Sequence, residues 1–569
     1  MYRWPASSVC CEKADRGSLI CLLYPRSDTR CQAADNRTGF TTGNRPAILG
    51  TFSICQFQHL ASTCYFPTNR DCDGAGQVID VQLFYLLSIL GFYLLIFCVG
   101  MWAARRKRED KTLAGYLLAG RDVPIIIGVL TMTATWVGGG YINGTAQGIY
   151  DPAQGLVWTQ APWGYALSMV IGGLFFARRM RREQFTTLLD PFEKRYGKPT
   201  AAWLFLPALL GEIFWSAAIL VALGTTFATV LGFDVTTSIL ISATVAIGYT
   251  VFGGLWSVIY TDVVQLFCLL LGLCLVIPFA VSHVGGSDVV WDAATAQMPA
   301  FPTGDSVWLW IDMALLLCLG GVPWQVYFQR VLSARDEKTA MRLSLAAAVG
   351  CLVMAVPAVI IGAVGIAADW SATAAGTAPE PVLVLPYVLK YLTPPIVGVI
   401  GLGAVAAAVM SSVDSSILSA SSMFVCNVYH PLIRPSATDR ENRLAIRAAV
   451  IGIGIAATAL ALSVQSVYAL WYLCADLVYV VLFPQLVMVL YSKHANWVGA
   501  LTGAILGATL RLGGGEPLIG ISMWIPYPMD NGDGGTNFPF RTVAMLSGML
   551  TIWVVSLLTG GRRDGQDST

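Results

Sequence analysis

Along most of this chain apolar residues run in long uninterrupted blocks, without the period of two or 3.6 that marks a half-buried strand or a surface helix. From residue 81 onward the blocks reach the roughly 20 residues that a helix needs to cross a hydrocarbon core. Thirteen spans are predicted, near 81–103, 122–148, 156–176, 201–231, 236–252, 257–281, 307–331, 342–366, 393–428, 444–464, 467–491, 496–511 and 541–559. Polar and charged residues collect between them. The pattern is that of an all-α polytopic membrane protein.

Two blocks break their own pattern. Thr131-Met-Thr-Ala-Thr-Trp-Val-Gly-Gly-Gly-Tyr-Ile-Asn-Gly-Thr145 puts glycines, threonines and an asparagine inside an apolar span. Each of Gly138, Gly139 and Gly140 weakens helix propagation by roughly 1 kcal/mol. Backbone freed in hydrocarbon must find partners, so a break there lines protein or a water-filled cavity. The other reading is a glycine-packed contact between helices. The second interruption is Leu319-Gly-Gly-Val-Pro-Trp-Gln325. Counted from the first broken span it lies in the sixth. Two interrupted helices, each heading a set of five, predict an inverted repeat with a midplane binding site, as in secondary transporters. The expected division is 1–78 as an extension, 79–121 as first span and loop, 122–281 and 282–491 as the two repeats, 492–560 as the last two spans, and 561–569 as a tail.

Charge placement sets an orientation. The first span ends in Arg105-Arg-Lys-Arg108, and alternation puts Arg178/Arg179/Arg181/Arg182, Arg330/Arg335/Lys338/Arg342, Arg434/Arg440/Arg443/Arg447, Lys493 and Arg562/Arg563 on that same side. The loops 283–306 and 513–540 hold no Lys or Arg and fall on the other. The positive-inside rule makes the first side cytoplasmic. The N-terminus is then outside and the C-terminus inside.

Composition agrees: 56% of the 569 residues are hydrophobic and 12% charged, against about 25% charged in soluble domains. A net charge of +1 carries no nucleic-acid signature. Half of the fourteen cysteines (Cys10, Cys11, Cys21, Cys31, Cys55, Cys64, Cys72) fall in the polar segment 1–78. If that segment is extracellular, six could pair, one would be left over, and Asn36-Arg-Thr38 would be a glycosylation acceptor. A disordered segment, and a segment that is not part of the natural product, are the other readings.

Three constellations carry candidate chemistry. Trp136, Tyr165, Trp215, Trp324 and Trp471 lie within spans or beside the breaks. Singly each reads as core packing. Together they could enclose a quaternary ammonium, at about 2 kcal/mol or more per desolvated ring. Ala406 to Ser422 carries seven serines and an aspartate. Serines can satisfy carbonyls of their own helix, but Ser411 and Ser412 with carbonyls of the Gly138 break also suit a hard cation. The third set is intramembrane charge: Glu212, Asp262, Asp312 and Asp414. A carboxylate at mid-span costs roughly 2.5–3.5 kcal/mol on insertion scales and marks ion paths. Asp262 reads equally as a helix cap.

At these motifs the chain resembles the sodium/solute symporter family, in its choline-importing branch. The stretches that carry the likeness are TMTATWVGGGYINGTA (131–146), APWGYALSMVIGGLFFA (161–177), LDPFEKRYGK (189–198), FLPALLGEIFWSAAI (205–219), YTDVVQLFC (260–268), GGVPWQVYFQRVLS (320–333), GLGAVAAAVMSSVDSSILSASSMF (401–424) and LWYLCADLVY (470–479). The resemblance implies a LeuT-like core of 5+5 helices and sodium- and chloride-dependent choline import across the plasma membrane. It also implies supply of acetylcholine synthesis, and residence in presynaptic and vesicle membranes. It assigns choline to Trp136, Tyr165, Trp215, Trp324 and Trp471. Sodium falls to Ala134, Val137, Ala408, Ser411 and Ser412, with Asp262 at a second site. Asp312 and Asp414 are expected to affect transport, as is Glu212, without being ligands. No chloride ligand is assignable. Residues 1–78 are extra to this pattern, and the tail is shorter than in such relatives. A symporter for another solute and a channel of the same fold are the alternatives. Nothing pairs a nucleophile with a base or clusters metal ligands, so an enzyme is not expected.

Overall fold

The computed structural model describes residues 10–14 and 18–22, parts of 87–103, and 113–560 apart from 252–254, 465 and 533–534. The chain divides into two units, Met1–Cys72 and Asp73–Thr569. In the first, β1 (Cys10–Ala14) pairs antiparallel with β2 (Ser18–Leu22), with Cys11 opposite Cys21. The other expected features of 1–78, including Asn36, lie outside the described residues, as do Arg105–Arg108 and Arg562/Arg563.

The second unit is helical. Its long helices are α1 (Leu94–Ala103), α2 (Ile125–Trp136), α3 (Gly139–Tyr150), α4 (161–182), α5 (Lys198–Leu231), α6 (Val235–Thr250), α7 (Leu255–His283), α8 (Ser287–Gln297), α9 (Ser306–Gly320), α10 (Gln325–Ser333), α11 (Glu337–Ala367), α12 (Pro395–Ile433), α13 (Asp439–Ser463), α14 (Val467–Tyr491), α15 (Trp497–Gly513) and α16 (Phe540–Leu558). Among the described residues eight helices are long and apolar enough to cross a membrane, or nine when the bent pair α2/α3 counts as one span. That is short of thirteen. Of the remaining predicted spans, those in 81–103, 236–252 and 496–511 contain the shorter apolar helices Leu94–Ala103, Val235–Gly248 and Trp497–Gly513. A fourth, near 156–176, overlaps α4, which a π-helical segment interrupts at Gly172–Ala177.

Local chemistry explains the ends. Thr438 and Glu441 form a reciprocal capping box at the start of α13, satisfying donors that a helix start leaves open. Asp336 caps α11 through Thr339 N, and Asn496 caps α15 through Gly499 N. Gly232, left-handed at φ 71°, ends α5, a conformation a Cβ would strain. Burial sorts the helices into layers. The most apolar stretch of α12 is 89% buried and that of α5 72%, whereas α16 reaches only 28%. α12 and α5 form the centre, packed on each other and on α7 and α14, with α15 and α16 paired at the edge.

Candidate functional site

Both expected breaks are present. Helix α2 stops at Trp136. Val137 (φ −89°, ψ 56°) and Gly138 (φ −92°, ψ −166°) leave helical geometry, and α3 begins at Gly139. The two halves are bent by 50°. The second interruption, 321–324, joins α9 to α10 without so sharp a bend. Trp324 is extended there (φ −109°, ψ 133°) and directly precedes α10.

The glycines at the first break also pack. A Cβ on Gly138 would lie 1.6 Å from Ser412 Oγ and 2.5 Å from Ser412 Cβ, and one on Gly139 would lie 2.2 Å from Val409 Cγ2. Contact and opening thus coexist: the unwound turn presses against α12 where the serines lie. Ser412 Oγ donates to Thr135 O at 3.1 Å, and Ala408 O is 3.8 Å from the Gly138 Cβ position. Thr131, Ser411, Ser412 and Ser415 are all buried. Neutral hydroxyl and carbonyl oxygens of this kind suit a hard cation.

Asp262 belongs to the same locality. It is wholly buried at the eighth residue of α7, so it does not cap that helix, against one of the two readings above. Its carboxylate accepts from Thr131 Oγ1 at 2.5 Å and from Ser411 Oγ. It also accepts from Arg330 Nη2 at 3.2 Å. Arg330 is a correction. Its place beside Arg335, Lys338 and Arg342 suggested a solvated cytoplasmic cluster, yet its side chain is buried, and it also donates to Ser415 Oγ at 2.6 Å and Gln329 Oε1 at 3.0 Å. The signal lay in its neighbours. Tyr327, Phe328, Val331 and Leu332 surround it in sequence, and all are buried on α10.

The five aromatic residues come together. Trp136 and Tyr165 have ring centroids 5.1 Å apart, Trp136 and Trp215 6.1 Å, Trp215 and Trp324 5.4 Å, and Tyr165 and Trp471 5.2 Å. They form a continuous string, Trp471–Tyr165–Trp136–Trp215–Trp324, drawn from α14, α4, α2, α5 and the second break. No ring is more than 5% exposed. Trp324 Nε1 donates to Gly320 O at 2.7 Å, whereas buried Trp136 Nε1 has no partner. Tyr141 and Tyr468 extend the group through Trp471, at 5.5 and 6.5 Å. Tyr468 was not expected. It is the residue one turn before Trp471 on α14, a spacing that could have shown it.

The remaining carboxylates separate. Glu212 accepts from Ser416 Oγ at 2.6 Å. Asp414 accepts from Thr250 Oγ1 at 2.8 Å, and its Oδ2 has no partner. Asp312 turns away from the breaks to the start of α16, accepting from Thr542 N at 2.7 Å and Thr542 Oγ1 at 2.6 Å beside Arg541. A second buried ionic group, unforeseen, joins Arg511 to Asp476 and to Glu516, the latter at 2.6 Å. Asp476 lay in a quoted motif and Arg511 at a predicted span end, so both were visible as charges within apolar sequence.

A helical membrane bundle with two unwound spans, buried hydroxyls at one break and an aromatic string across both, is a secondary transporter of the LeuT type. The family model "Sodium:solute symporter family" matches residues 116–507. The human high affinity choline transporter 1 is 50% identical over 490 residues, covering 83% of this chain and 84% of that one. The high-affinity choline transporter 1 of Caenorhabditis elegans is 49% identical over 497 residues, covering 84% and 85%. A solved Na+-coupled sialic acid symporter, in a substrate-bound outward-open state, shares the fold with a TM-score of 0.68 at 20% identity, covering 83% of this chain and 97% of that one. The chain belongs to the sodium:solute symporter family.

Proposed function

We propose that the protein imports choline by sodium symport. The observation that carries this reading is the buried string of five rings lying across the two helix breaks, beside a set of neutral oxygens. A quaternary ammonium offers no hydrogen-bond donor, so ring quadrupoles are its natural partner. Trp136, Tyr165, Trp215, Trp324 and Trp471 would face the trimethylammonium group. Trp136 Nε1, a buried donor without a partner, would donate a hydrogen bond to the choline hydroxyl oxygen, since a buried donor normally finds an acceptor. Sodium would be held by the carbonyls of Ala134, Val137 and Ala408 and by the hydroxyls of Ser411 and Ser412, with Asp262 serving a second ion. The relatives named as choline transporters support the substrate.

Sodium and choline then act through one wall. The turn that would bind the ion contains Trp136, so ordering it by sodium also fixes a ring of the cage. Sodium can favour the substrate-ready state only by binding it better than the other. Each half of the repeat carries one break, and rocking them against each other would expose the midplane site alternately.

The resemblance adds finer points to the proposal: dependence on chloride, placement in the plasma membrane with the N-terminus outside, and supply of acetylcholine synthesis. Among the described residues the two fully buried arginines, Arg330 and Arg511, each face a carboxylate, so neither presents an unopposed charge to chloride. The test is uptake of radiolabelled choline into cells in sodium and in sodium-free medium, with a hemicholinium-type competitor and a panel of sugars, amino acids and monocarboxylates. Sodium-dependent, competitor-sensitive choline uptake is expected. Uptake of another solute instead would reject choline, and current without uptake would identify a channel.

A further inference from the structure

Arg330 is a full positive charge inside the oxygen set that would receive sodium. It shares the carboxylate of Asp262 with Thr131 and Ser411. A sodium ion and a guanidinium on one carboxylate repel strongly in a low-dielectric interior. Sodium on Asp262 therefore requires Arg330 to leave, and a buried guanidinium can leave only for another anion.

The structure holds a second buried carboxyl group that could take this role. Ser415, which binds Arg330, is followed directly on α12 by Ser416, which binds Glu212. Glu212 and Arg330 lie within electrostatic reach of each other. Each has an unpaired polar atom: Arg330 Nε is a buried donor without a partner, and Glu212 Oε1 is a buried acceptor without one. Glu212 also leads to the cage. It stands three residues before Trp215, on the same face of α5, and a Cβ on the preceding Gly211 would lie 3.5 Å from the Trp324 ring.

Building on the sodium–choline reading, we propose that Arg330 is a tethered counter-ion that exchanges between two carboxylates: Asp262 when sodium is absent, Glu212 when sodium sits on Asp262. With sodium bound each cation has its own carboxylate, and the exchange draws α10 toward α5, across the face carrying Trp215 and Trp324. Arg330 is thus a positioning residue that transmits sodium occupancy to the cage without touching choline.

The experiment uses the full chain in detergent or nanodiscs. Sodium is titrated with tryptophan fluorescence as readout, and choline affinity is measured with and without sodium. In the wild type sodium should raise choline affinity by about 5- to 150-fold, the ordinary range of coupling between sites. With Glu212→Gln the guanidinium has no second carboxylate. Half-saturating sodium should then rise by about tenfold, or 1.4 kcal/mol, and the sodium-induced gain in choline affinity should shrink. With Arg330→Gln sodium meets no competitor. Its half-saturation should fall, while the sodium-induced gain in choline affinity shrinks. Should Arg330→Gln fold poorly, Asp262→Asn/Arg330→Gln removes both charges together and must show the same reduced gain. Wild-type sodium half-saturation in Glu212→Gln, or a full sodium-induced gain in either Arg330 variant, would overturn the proposal. A wild-type protein whose fluorescence responds to sodium but which binds no choline would reject the choline reading alone, leaving the exchange to be decided by the sodium titration of Glu212→Gln.

Discussion

Gly138→Ala is the sharpest perturbation of this site. The added Cβ would stand 1.6 Å from Ser412 Oγ and 2.5 Å from Ser412 Cβ. Rotating the serine hydroxyl relieves the first contact but not the second, because Cβ is fixed to the backbone of α12. Reaching an ordinary contact of 3.4 Å means parting the broken turn from α12 by about 0.9 Å, and overpacking of this kind typically costs about 1–3 kcal/mol. The displacement falls between the carbonyl and hydroxyl sides of the proposed sodium site. Most of the cost should therefore appear as weaker sodium binding, about 5- to 150-fold in half-saturating sodium. Gly140→Ala is the control: a Cβ there meets only Ile219 Cγ1, at 3.9 Å, and should leave sodium dependence near wild type. The assay is choline uptake against sodium concentration in cells, corrected for surface protein by biotinylation. A Gly138→Ala protein with unaltered sodium half-saturation, or a Gly140→Ala protein as impaired as it, would refute the reasoning.

Trp324→Ala should raise the choline concentration for half-maximal uptake by about 30-fold, from roughly 2 kcal/mol of cation–π contact, with surface protein retained; unchanged uptake would remove Trp324 from the cage. Ser411→Ala and Ser412→Ala should each increase half-saturating sodium more than half-saturating choline, read from the same uptake curves. Asp312→Ala removes the acceptor for Thr542 N and Oγ1 at the start of α16 and should lower stability by about 0.5–2 kcal/mol. Thermal unfolding of the solubilised protein should show that loss, with sodium dependence intact. Arg182→Ala breaks an exposed pair with Glu337 at 2.8 Å and should leave the unfolding temperature of the solubilised protein near wild type.

What could be read beforehand was whatever depended on composition within a single span. Three adjacent glycines must weaken a helix wherever they lie, so Gly138 to Gly140 announced the first break, and Leu319 to Gln325 announced the second in the same way. Their positions, one and six among ten spans, carried the repeat. That Trp136, Tyr165, Trp215, Trp324 and Trp471 touch could not be read span by span, because they come from five different elements; their residue types offered the grouping only as one possibility beside core packing, and the resemblance assigned it to choline. Arg330 shows where one-dimensional reasoning fails. Its charge suggested solvent, and only its four apolar neighbours, each buried on a short helix after the second break, showed that the charge had gone inward. Asp262 shows a related limit: its nearness to a helix start is a property of the chain, whereas its partners Thr131, Ser411 and Arg330 are properties of the packing. Helices such as α1 and α15 fall below spanning length when judged singly, and so the count of thirteen exceeds what the described helices satisfy.

The aromatic string has a consequence for discrimination. Its rings already touch, and each such ring pair is worth about 0.5–1.5 kcal/mol beyond buried area. A guest bound as proposed would have to separate neighbours that are content without it. A neutral molecule of choline's shape, with carbon in place of nitrogen, brings only the dispersion that the indoles already give one another, and should be rejected; a permanent cation brings an attraction they cannot supply among themselves. Selectivity for charge would thus arise from competition with the walls, without any carboxylate reaching the guest.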